Sequence, residues 1–524
     1  MTRTQNSFFN LATGLGASLL VTFLSFITRT VFIRYLGTSF LGIEGLFSNI
    51  LSVLSLTDLG IGTAISFKLY KPIEENDRPR ILSLMKLYRQ VYLIIGAVIL
   101  VIGLCLIPFL PHLVKDYGRF ASLGLNAAGV FLIYLLSTAS SYWVFAYKAS
   151  FVRANQKSYV LTVVGYVVSI TNSLCQIIAL SLFHSFMLYI LVQMCFTVIS
   201  GIISGIVCDK RYPFIKEKTA ESISRQEKKS FLKDCSALML YRVHNVVINS
   251  MDNIVLSAMV GLDAVGLYAN YLAVKGALRG LLDSVLSAIQ ASLGSIYTTG
   301  NLEWSRLMFR TVNFLVCWLY GIGAIGLAVL LGDFITIWVG ADYIVSSWVH
   351  NGVTITTPLA LFVGIEMYVI GHRQYLGTFR EVMGLFQHMK YRPIASVLVN
   401  FVVLVPGIYY WGILGCVVST VIAGLTTNMI FDPVIICKHA LKQSSAGYFL
   451  RNLIYIVITA AAGLLSWWVC SLIPVPGIPG FIVHGIVCVF VPSAMFLLCF
   501  FRTTEFRFLL NSAKTIFQRG DAAS

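Results

Sequence analysis

Charged residues are scarce in this chain of 524 residues. Asp, Glu, Lys and Arg together make up 11% of it, hydrophobic residues make up 57%, and the mean hydropathy is +0.83. Soluble proteins contain about 25% charged residues. The shortage of charge therefore excludes an ordinary soluble domain and indicates an integral membrane protein.

Sequence patterns for several kinds of chemistry are also missing. The 11 cysteines lie in or beside apolar segments and form no C-x-x-C pair, so we expect neither disulfides nor a metal site. No G-x-x-x-x-G-K-S/T loop occurs, which argues against ATP hydrolysis. We expect no cofactor. The predicted outer loops are too short for a catalytic domain, so we do not expect an enzyme.

Apolar runs that are long enough to cross a bilayer fill most of the chain. A spanning helix needs about 20 apolar residues, and the sequence predicts about fourteen such helices in an all-α membrane protein. The predicted spans are residues 8–33, 40–67, 90–110, 121–146, 158–182, 185–208, 235–260, 264–297, 311–331, 352–372, 393–410, 412–436, 452–473 and 480–501.

The positions of Lys and Arg predict the orientation of these spans. Most of the 38 basic residues fall on one side if both termini are cytoplasmic, and the predicted outer loops hold Lys115 and Arg119. This bias also explains the formal net charge of +16, so we expect the lipid bilayer and no nucleic acid as a partner.

An internal repeat divides the chain into two similar halves. Residues 36–43, LGTSFLGI, match residues 260–267, VGLDAVGL, and further similarities continue at the same offset. The repeat predicts two pseudo-symmetric six-helix lobes followed by two added helices. The predicted parts are an N-terminal lobe (1–208), a cytoplasmic linker (209–233), a C-terminal lobe (234–440), two extra spans (441–501) and a cytoplasmic tail (502–524).

Ionisable residues occur inside several predicted spans. Each costs about 2.5–3.5 kcal/mol on insertion, so such residues face a bundle interior or a water-filled cavity. Together with neighbouring amides they form one face each of spans 1, 2, 7 and 8: Arg29, Glu44, Asp58, Arg242, Asn245, Asn249, Asp252, Lys275, Arg279 and Asp283. Glu366 stands alone in span 10. These faces predict a polar pathway through the bilayer.

The basic members of this set predict a site for an anion. Helix rise places Arg242, Lys275 and Arg279 near the middle of the membrane, and an arginine fork matches phosphate oxygens. The predicted substrate-binding residues are Arg29, Arg242, Asn245, Asn249, Lys275 and Arg279. The alternative is internal ion pairing, for example of Arg279 with Asp58 or Asp283.

The acidic members predict gating or ion coupling. The candidates are Glu44, Asp58, Asp252, Asp283 and Glu366. A pair between Arg29 and Asp252 would join the predicted lobes as an outer gate, whereas a pair between Arg29 and Glu44 would only orient the arginine. Glu366 is either a structural partner or a proton carrier.

Two stretches of the sequence resemble a known family. RTVFIRYLGTSFLGIEGLFSNILSVLSLTDLGIGTAI, followed by LYKP, resembles the opening of bacterial polysaccharide flippases of the multidrug/oligosaccharidyl-lipid/polysaccharide exporter superfamily. REVMGLFQHMKYRP with VNFVVLVPGIYYWGILGCVVSTVIAG resembles their spans 10–12. The resemblance implies two lobes in a V around a central cavity. Arg29 stands in the region where related lipid flippases carry cavity arginines.

This resemblance also implies a function. The expected activity is movement of undecaprenyl-pyrophosphate-linked oligosaccharide from the inner to the outer leaflet of the bacterial cytoplasmic membrane, with a polymerase and glycosyltransferases as partner proteins. Moving about two negative charges outward is favoured by about 4–5 kcal/mol at 100 mV, so the membrane potential can drive it. An antiported proton or sodium ion is the alternative drive.

Three other functions compete with this interpretation. A drug/cation antiporter of the same superfamily would need a cavity of net negative charge, and the predicted one is positive. A membrane glycosyltransferase or polymerase would need sizeable outer loops. A scaffold that transports nothing would not need the polar helix faces.

Overall fold

The protein is almost entirely helical in the computed structural model. The structure describes residues 3–55, 61–115, 117–155, 157–217, 246–248, 250–297, 302–341, 349–350, 353–354, 358–385, 388–389 and 391–511. The α-helices are α1 (Arg3–Leu36), α2 (Thr38–Leu54), α3 (Ile61–Glu74), α4 (Arg78–Leu106), α5 (Leu110–Leu113), α6 (Arg119–Ser122), α7 (Ala127–Trp143), α8 (Ala146–Ala154), α9 (Ser158–Phe183), α10 (Phe186–Arg211), α11 (Val246–Met259), α12 (Leu262–Tyr297), α13 (Leu302–Trp338), α14 (Pro358–Val382), α15 (Arg392–Trp411), α16 (Ile413–Ala423), α17 (Met429–Ile435), α18 (Ala446–Ser471), α19 (Gly477–Phe500) and α20 (504–511).

Short elements of other kinds connect these helices. Two strands of two residues each, β1 (Val349–His350) and β2 (Val353–Thr354), pair antiparallel. The other short elements are 3₁₀ turns at Ile107–Phe109 and Pro213–Lys216 and π-helical turns at Gly424–Asn428 and Ile436–Ala440. The second π turn ends a continuous helical segment that begins with α16.

Nine helical segments in the described part of the chain are long and apolar enough to cross a membrane, and the bent pair of α7 and α8 is a tenth candidate. The nine are Ser18–Leu36, Arg78–Leu113, Tyr159–Phe183, Phe186–Arg211, Leu302–Trp338, Arg392–Trp411, Ile413–Ala440, Ala446–Ser471 and Gly477–Phe500. Each of the predicted spans overlaps one or more of the helices. The prediction of an all-helical, multi-pass membrane protein is therefore confirmed.

Two predicted spans of the second unit are not among these nine segments and carry ionisable residues. Span 264–297 coincides with α12, which contains Lys275, Arg279 and Asp283, and span 352–372 overlaps α14, which contains Glu366. A bilayer accepts such helices when their ionisable side chains face protein or water. The charged faces of α12 and α14 therefore indicate a functional site.

The break between α7 and α8 was not predicted from the sequence, which indicated one continuous span at 121–146. The two helices meet at an angle of 46°, and Phe145 between them has a φ of 58°, in the left-handed region. Gly201 and Gly205 of α10 make room for the break. A Cβ atom at Gly201 would lie 2.5 Å from the Val144 carbonyl oxygen, and one at Gly205 would lie 2.7 Å from the Phe145 ring.

The chain forms two compact units, Met1–Gly266 and Leu267–Ser524. The first unit includes α11 and the first turn of α12, which the sequence assigned to the C-terminal lobe. A hydrogen bond from the Lys115 amide to the Ser257 carbonyl ties α11 to an earlier loop of that unit. Residues 218–245 lie outside the described residues, and they include most of the predicted linker (209–233). The predicted lobe boundaries stay predictions.

The last two spans pack against α13 inside the second unit. Phe314 and Cys317 of α13, Tyr368 of α14, Tyr455 of α18 and Phe496 of α19 share one buried apolar cluster. The opposite faces of α18 and α19 are apolar and exposed, which is typical of helices that face lipid. This packing places the segment after α19 close to the beginning of α13.

Candidate functional site

A cluster of ionisable side chains lies within the second unit, on α12, α13 and α14. We call it the cationic cluster and define it as Lys275, Arg279, Asp283, Tyr320, Glu366 and Arg373. Lys275, Arg279 and Asp283 follow one another at single helical turns on α12, so their side chains share one face. Tyr320 belongs to α13, and Glu366 and Arg373 belong to α14.

Lys275 and Glu366 form a buried ion pair. The Lys275 Nζ atom donates to both carboxylate oxygens of Glu366 at 2.7 Å, and the two side chains are 12% and 5% exposed. A buried charge needs such a partner because desolvation otherwise outweighs its other interactions. The pair joins α12 to α14 and gives Glu366 the structural partner that was one of its two predicted roles.

Arg279 forms a more exposed ion pair with Asp283 on the same helix. Its Nε atom lies 3.2 Å from the Asp283 Oδ2 atom, and the side chains are 32% and 28% exposed. The Tyr320 hydroxyl donates a short hydrogen bond to the other carboxylate oxygen of Asp283. This pairing was the predicted alternative for Arg279. The pair engages Nε of Arg279, and the partial exposure leaves the guanidinium accessible to a ligand.

Arg373 is a member of the cluster that sequence reasoning missed. Arg373 lies just beyond the predicted span 352–372, but α14 continues to Val382 and places it seven residues, two turns, beyond Glu366. Its charge interacts with those of Arg279, Arg392, Glu366 and Asp283. Arg392 is itself paired with the buried Asp432, so it does not alter the charge balance of the cluster. The seven-residue spacing was the signal that would have identified it.

The cationic cluster carries an excess of positive charge. Three cations, Lys275, Arg279 and Arg373, face two carboxylates, Asp283 and Glu366. Among the described residues, no acidic group lies within ion-pair distance of Arg373. Fork-shaped guanidinium groups bind phosphate oxygens through two parallel hydrogen bonds. The arrangement can therefore attract a phosphate-bearing anion while the lysine and one arginine stay held by their acidic partners.

A second polar cluster lies in the first unit and contains two predicted site residues. Arg29 on α1 and Glu44 on α2 are both partly buried, and their charges interact. The Tyr189 hydroxyl of α10 donates to the Glu44 Oε1 atom at 3.2 Å. The two residues that we expected to pair are thus neighbours, and the orienting role of Glu44 stays a prediction.

Asp252 lies buried on α11, and contacts group it with Arg29 in the first unit. A pair between Arg29 and Asp252 would therefore be a contact inside one compact unit, whereas the prediction treated it as a contact between lobes. The physical reason is the packing of α11 against earlier loops of the first unit. The gating role of Asp252 stays a prediction.

Four predicted site residues fall outside the part of the chain that the structure describes. They are Asp58, Arg242, Asn245 and Asn249. Their predicted roles in binding and coupling stay predictions.

The beginnings of α2 and α12 cross closely at a place defined by Ser39, Gly42, Arg119, Asp263 and Gly266. We call it the outer junction because the sequence predicts this end of the helices to lie on the outer side. A Cβ atom at Gly42 would lie 2.0 Å from the Leu262 carbonyl oxygen, and one at Gly266 would lie 2.1 Å from the Thr38 carbonyl oxygen. The repeat aligns Gly42 with Gly266 and Thr38 with Leu262. The two close contacts are therefore equivalent to each other under the repeat. This reciprocity is what a pseudo-two-fold relation between repeats produces.

Polar contacts join the same two helix ends. Ser39 Oγ donates to Asp263 Oδ1 at 2.6 Å, and Arg119 Nη2 lies 2.8 Å from Asp263 Oδ2. Asp263 was not among the predicted site residues, although the repeat aligns it with Ser39. The repeat thus identified the two segments, and the structure shows that they touch each other.

Comparison with known proteins identifies relatives at the level of family and fold. Residues 9–290 match the family model described as polysaccharide biosynthesis protein. No match is found among curated proteins.

Several solved structures share the fold. The lipid II flippase MurJ in an inward closed conformation has a TM-score of 0.65 and 14% identity, with 93% of this chain and 98% of that chain covered. An inward-facing multidrug resistance MATE family transporter of the MOP superfamily has a TM-score of 0.62 and 14% identity, with 83% and 100% covered. A MOP superfamily transporter from Pyrococcus furiosus has a TM-score of 0.57 and 13% identity, with 84% and 98% covered. Identities this low establish the fold alone.

Proposed function

Because the chain belongs to the polysaccharide biosynthesis protein family, we propose that it moves an undecaprenyl-pyrophosphate-linked oligosaccharide from the inner to the outer leaflet of the bacterial cytoplasmic membrane. It is a multi-pass membrane protein with the fold of MOP superfamily transporters, and one structural neighbour is a lipid II flippase. A flippase needs a hydrated site for a large polar head and a cation for its pyrophosphate.

The excess positive charge of the cationic cluster is the observation that carries this proposal. Arg373 adds a third cation to a site with two carboxylates, and Arg279 is only partly buried. A pyrophosphate presents several oxygens that two guanidinium groups can bind together. In the proposed mechanism Arg279 and Arg373 hold the pyrophosphate, and Lys275 positions α12 through its pair with Glu366.

The membrane potential supplies the drive in this proposal. Outward movement of about two negative charges across 100 mV, inside negative, releases about 4–5 kcal/mol. Both termini are proposed to be cytoplasmic, in accordance with the distribution of Lys and Arg. A coupled proton or sodium ion is an additional drive that Asp283 or Glu366 would carry.

Alternating access requires contacts that exist in one state and break in the other. The outer junction supplies two candidates, since Asp263 binds both Ser39 and Arg119. Both contacts lie inside the first unit, so their loss would separate α2 from the beginning of α12. We propose that these polar contacts hold the outer side closed while cargo enters from the inside. The close glycine crossing sets the distance over which the contacts form.

A drug/cation antiporter is the second candidate function, and the fold shared with a MATE family transporter favours it. That function would place net negative charge where organic cations bind. The positive excess of the cationic cluster favours an anionic cargo. Removing one of the cluster cations should therefore reduce transport if the cargo is an anionic lipid and improve it if the cargo is a cationic drug.

Variants of the two available arginines test the proposal. In cells that lack the chromosomal copy, we expect Arg373→Ala and Arg279→Ala to reduce surface polysaccharide and to leave lipid-linked oligosaccharide accumulated on the inner leaflet. Arg34→Ala is the matched control, because Arg34 is an exposed cation at the end of α1. Normal export by both test variants at wild-type protein levels would refute the assignment. Improved export of a cationic drug by the same variants would favour the antiporter.

A further inference from the structure

The second unit contains a basic cavity that shares no residue with the cationic cluster. It lies between the first turns of α13 and the helix α20 that follows the last span, and its volume is about 590 Å³. We call it the basal pocket and define it by Glu303, Trp304, Arg306, Arg310, Arg507 and Phe508. Its size is within the range of about 300–1,000 Å³ that is usual for ligand sites.

The lining of the basal pocket is positively charged. Arg306, Arg310 and Arg507 contribute three cations, and Glu303 is the acidic residue among the described lining residues. Glu303 is 81% exposed at the side chain and already binds Arg306 Nη1 at 2.5 Å. The pocket therefore offers at least two arginines to an anion.

Arg306 is a fixed part of the wall. Its Nε atom donates to the Leu441 carbonyl at 2.9 Å, and its Nη2 atom donates to the Lys442 carbonyl at 2.8 Å. These bonds attach the beginning of α13 to the turn that precedes α18. A wall built in this way exists before any ligand arrives, which reduces the entropic cost of binding.

Arg310 is the strongest indication of a ligand. Its Nε atom is buried and has no hydrogen-bond partner among the described residues. The residue also lines a smaller cavity of about 40 Å³ together with Arg451, Gln443 and Ser444. No hydrogen bond or ion pair to another described residue holds this guanidinium, so its outer nitrogen atoms remain for an anion in the pocket.

The other wall of the basal pocket is apolar. The rings of Trp304 and Phe508 meet edge to face with centroids 5.2 Å apart, and Leu307 completes this side. Phe506, two residues before Phe508, packs with Trp318 and anchors α20 to α13. Aromatic residues beside cations are typical of the membrane interface, where headgroup and acyl chain meet.

We propose that the basal pocket binds the phosphodiester of an anionic phospholipid, with Arg310 and Arg507 on the phosphate and the Trp304 side along the acyl chains. Basic pockets between spanning helices on the cytoplasmic side bind such headgroups, and the sequence predicts this side to be cytoplasmic. The site is separate from the proposed cargo site and does not depend on the proposed function. It would link occupancy by lipid to the packing of α13, α18 and α20.

Native mass spectrometry of the purified full-length protein tests this proposal. Phosphatidylglycerol is titrated against wild type, Arg507→Ala, Arg310→Gln and the double variant, and phosphatidylcholine serves as the neutral lipid. We expect phosphatidylglycerol affinity to fall about fivefold for each arginine removed and about 25-fold in the double variant. Phosphatidylcholine binding is expected not to change.

Arg502→Ala is the matched control. Arg502 lies in the same segment, is exposed, and stacks over Phe501 without lining the pocket. Wild-type affinity in the double variant, or an equal loss in Arg502→Ala, would overturn the proposal. Displacement of phosphatidylglycerol by millimolar inorganic phosphate would also overturn it, because a free anion would then be the ligand. Arg507→Ala keeps the test valid if Arg310→Gln fails to fold, since Arg507 is exposed.

Discussion

Replacing Glu366 by Gln is the sharpest perturbation of the cationic cluster. The substitution keeps the size of the side chain and removes the charge that holds Lys275. Because these side chains are 5% and 12% exposed, water cannot replace the lost partner. Breaking a buried ion pair from one side typically costs about 3–5 kcal/mol, and we expect a loss of this size in the free energy of unfolding.

The double variant Lys275→Met/Glu366→Gln removes both charges together. A buried pair exchanged for neutral side chains of similar volume is often nearly neutral in stability. We therefore expect the double variant to recover to within about 1 kcal/mol of wild type, which corresponds to a coupling energy of several kcal/mol in the mutant cycle. Equilibrium unfolding of the purified protein in detergent measures all four corners of the cycle.

An exposed pair provides the control for this cycle. Lys71 and Glu75 are one helical turn apart, and the Lys71 Nζ atom lies 3.7 Å from the Glu75 Oε1 atom. Their side chains are 80% and 56% exposed. Screening by water limits such a pair to about 0.5 kcal/mol, so Glu75→Gln should have little effect. The reasoning about burial fails if Glu366→Gln is as mild as Glu75→Gln, or if the double variant is less stable than Glu366→Gln alone.

Two further variants test the outer junction. Gly42→Ala should destabilise the protein by about 1–3 kcal/mol, because its Cβ would lie 2.0 Å from the Leu262 carbonyl oxygen. Gly165 has open space around it, so Gly165→Ala is the control and should be neutral or stabilising. Thermal unfolding compares the two variants. Asp263→Asn removes the ion pair with Arg119, whose side chain is 43% exposed, so the closed state should lose about 1 kcal/mol of stability. This loss corresponds to about fivefold faster labelling of a cavity cysteine from outside. Asp263→Glu should label as wild type does, and unchanged labelling in Asp263→Asn would show that this pair does not hold the junction closed.

The helical fold followed from the sequence because long apolar runs have one stable form in a bilayer, where every backbone polar group needs an internal partner. The repeat also identified the segments that meet at Gly42 and Gly266. The break at Phe145 did not follow, because it depends on the glycines of α10, which are distant in the sequence. Local patterns carry no information about such tertiary contacts.

The candidate site was predicted in part. Spacing along α12 put Lys275, Arg279 and Asp283 on one face, and the structure shows the Arg279–Asp283 pair that was one of two alternatives. The partner of Lys275 is 91 residues away on α14, so no local spacing could reveal it. Arg373 was missed because the predicted end of span 10 fell before the residue, and helix ends are the least certain feature of a sequence pattern.

Transport by the purified protein in proteoliposomes tests the central claim most directly. A fluorescent undecaprenyl-pyrophosphate oligosaccharide is confined to the leaflet that corresponds to the cytoplasmic side, and its arrival on the other leaflet is followed under an imposed potential. We predict movement that speeds up when the cytoplasmic side is negative, slows when the potential is reversed, and is lost in Arg373→Ala and Arg279→Ala but not in Arg34→Ala. Absence of lipid movement at either potential, with uptake of a cationic drug by the same vesicles, would contradict the account.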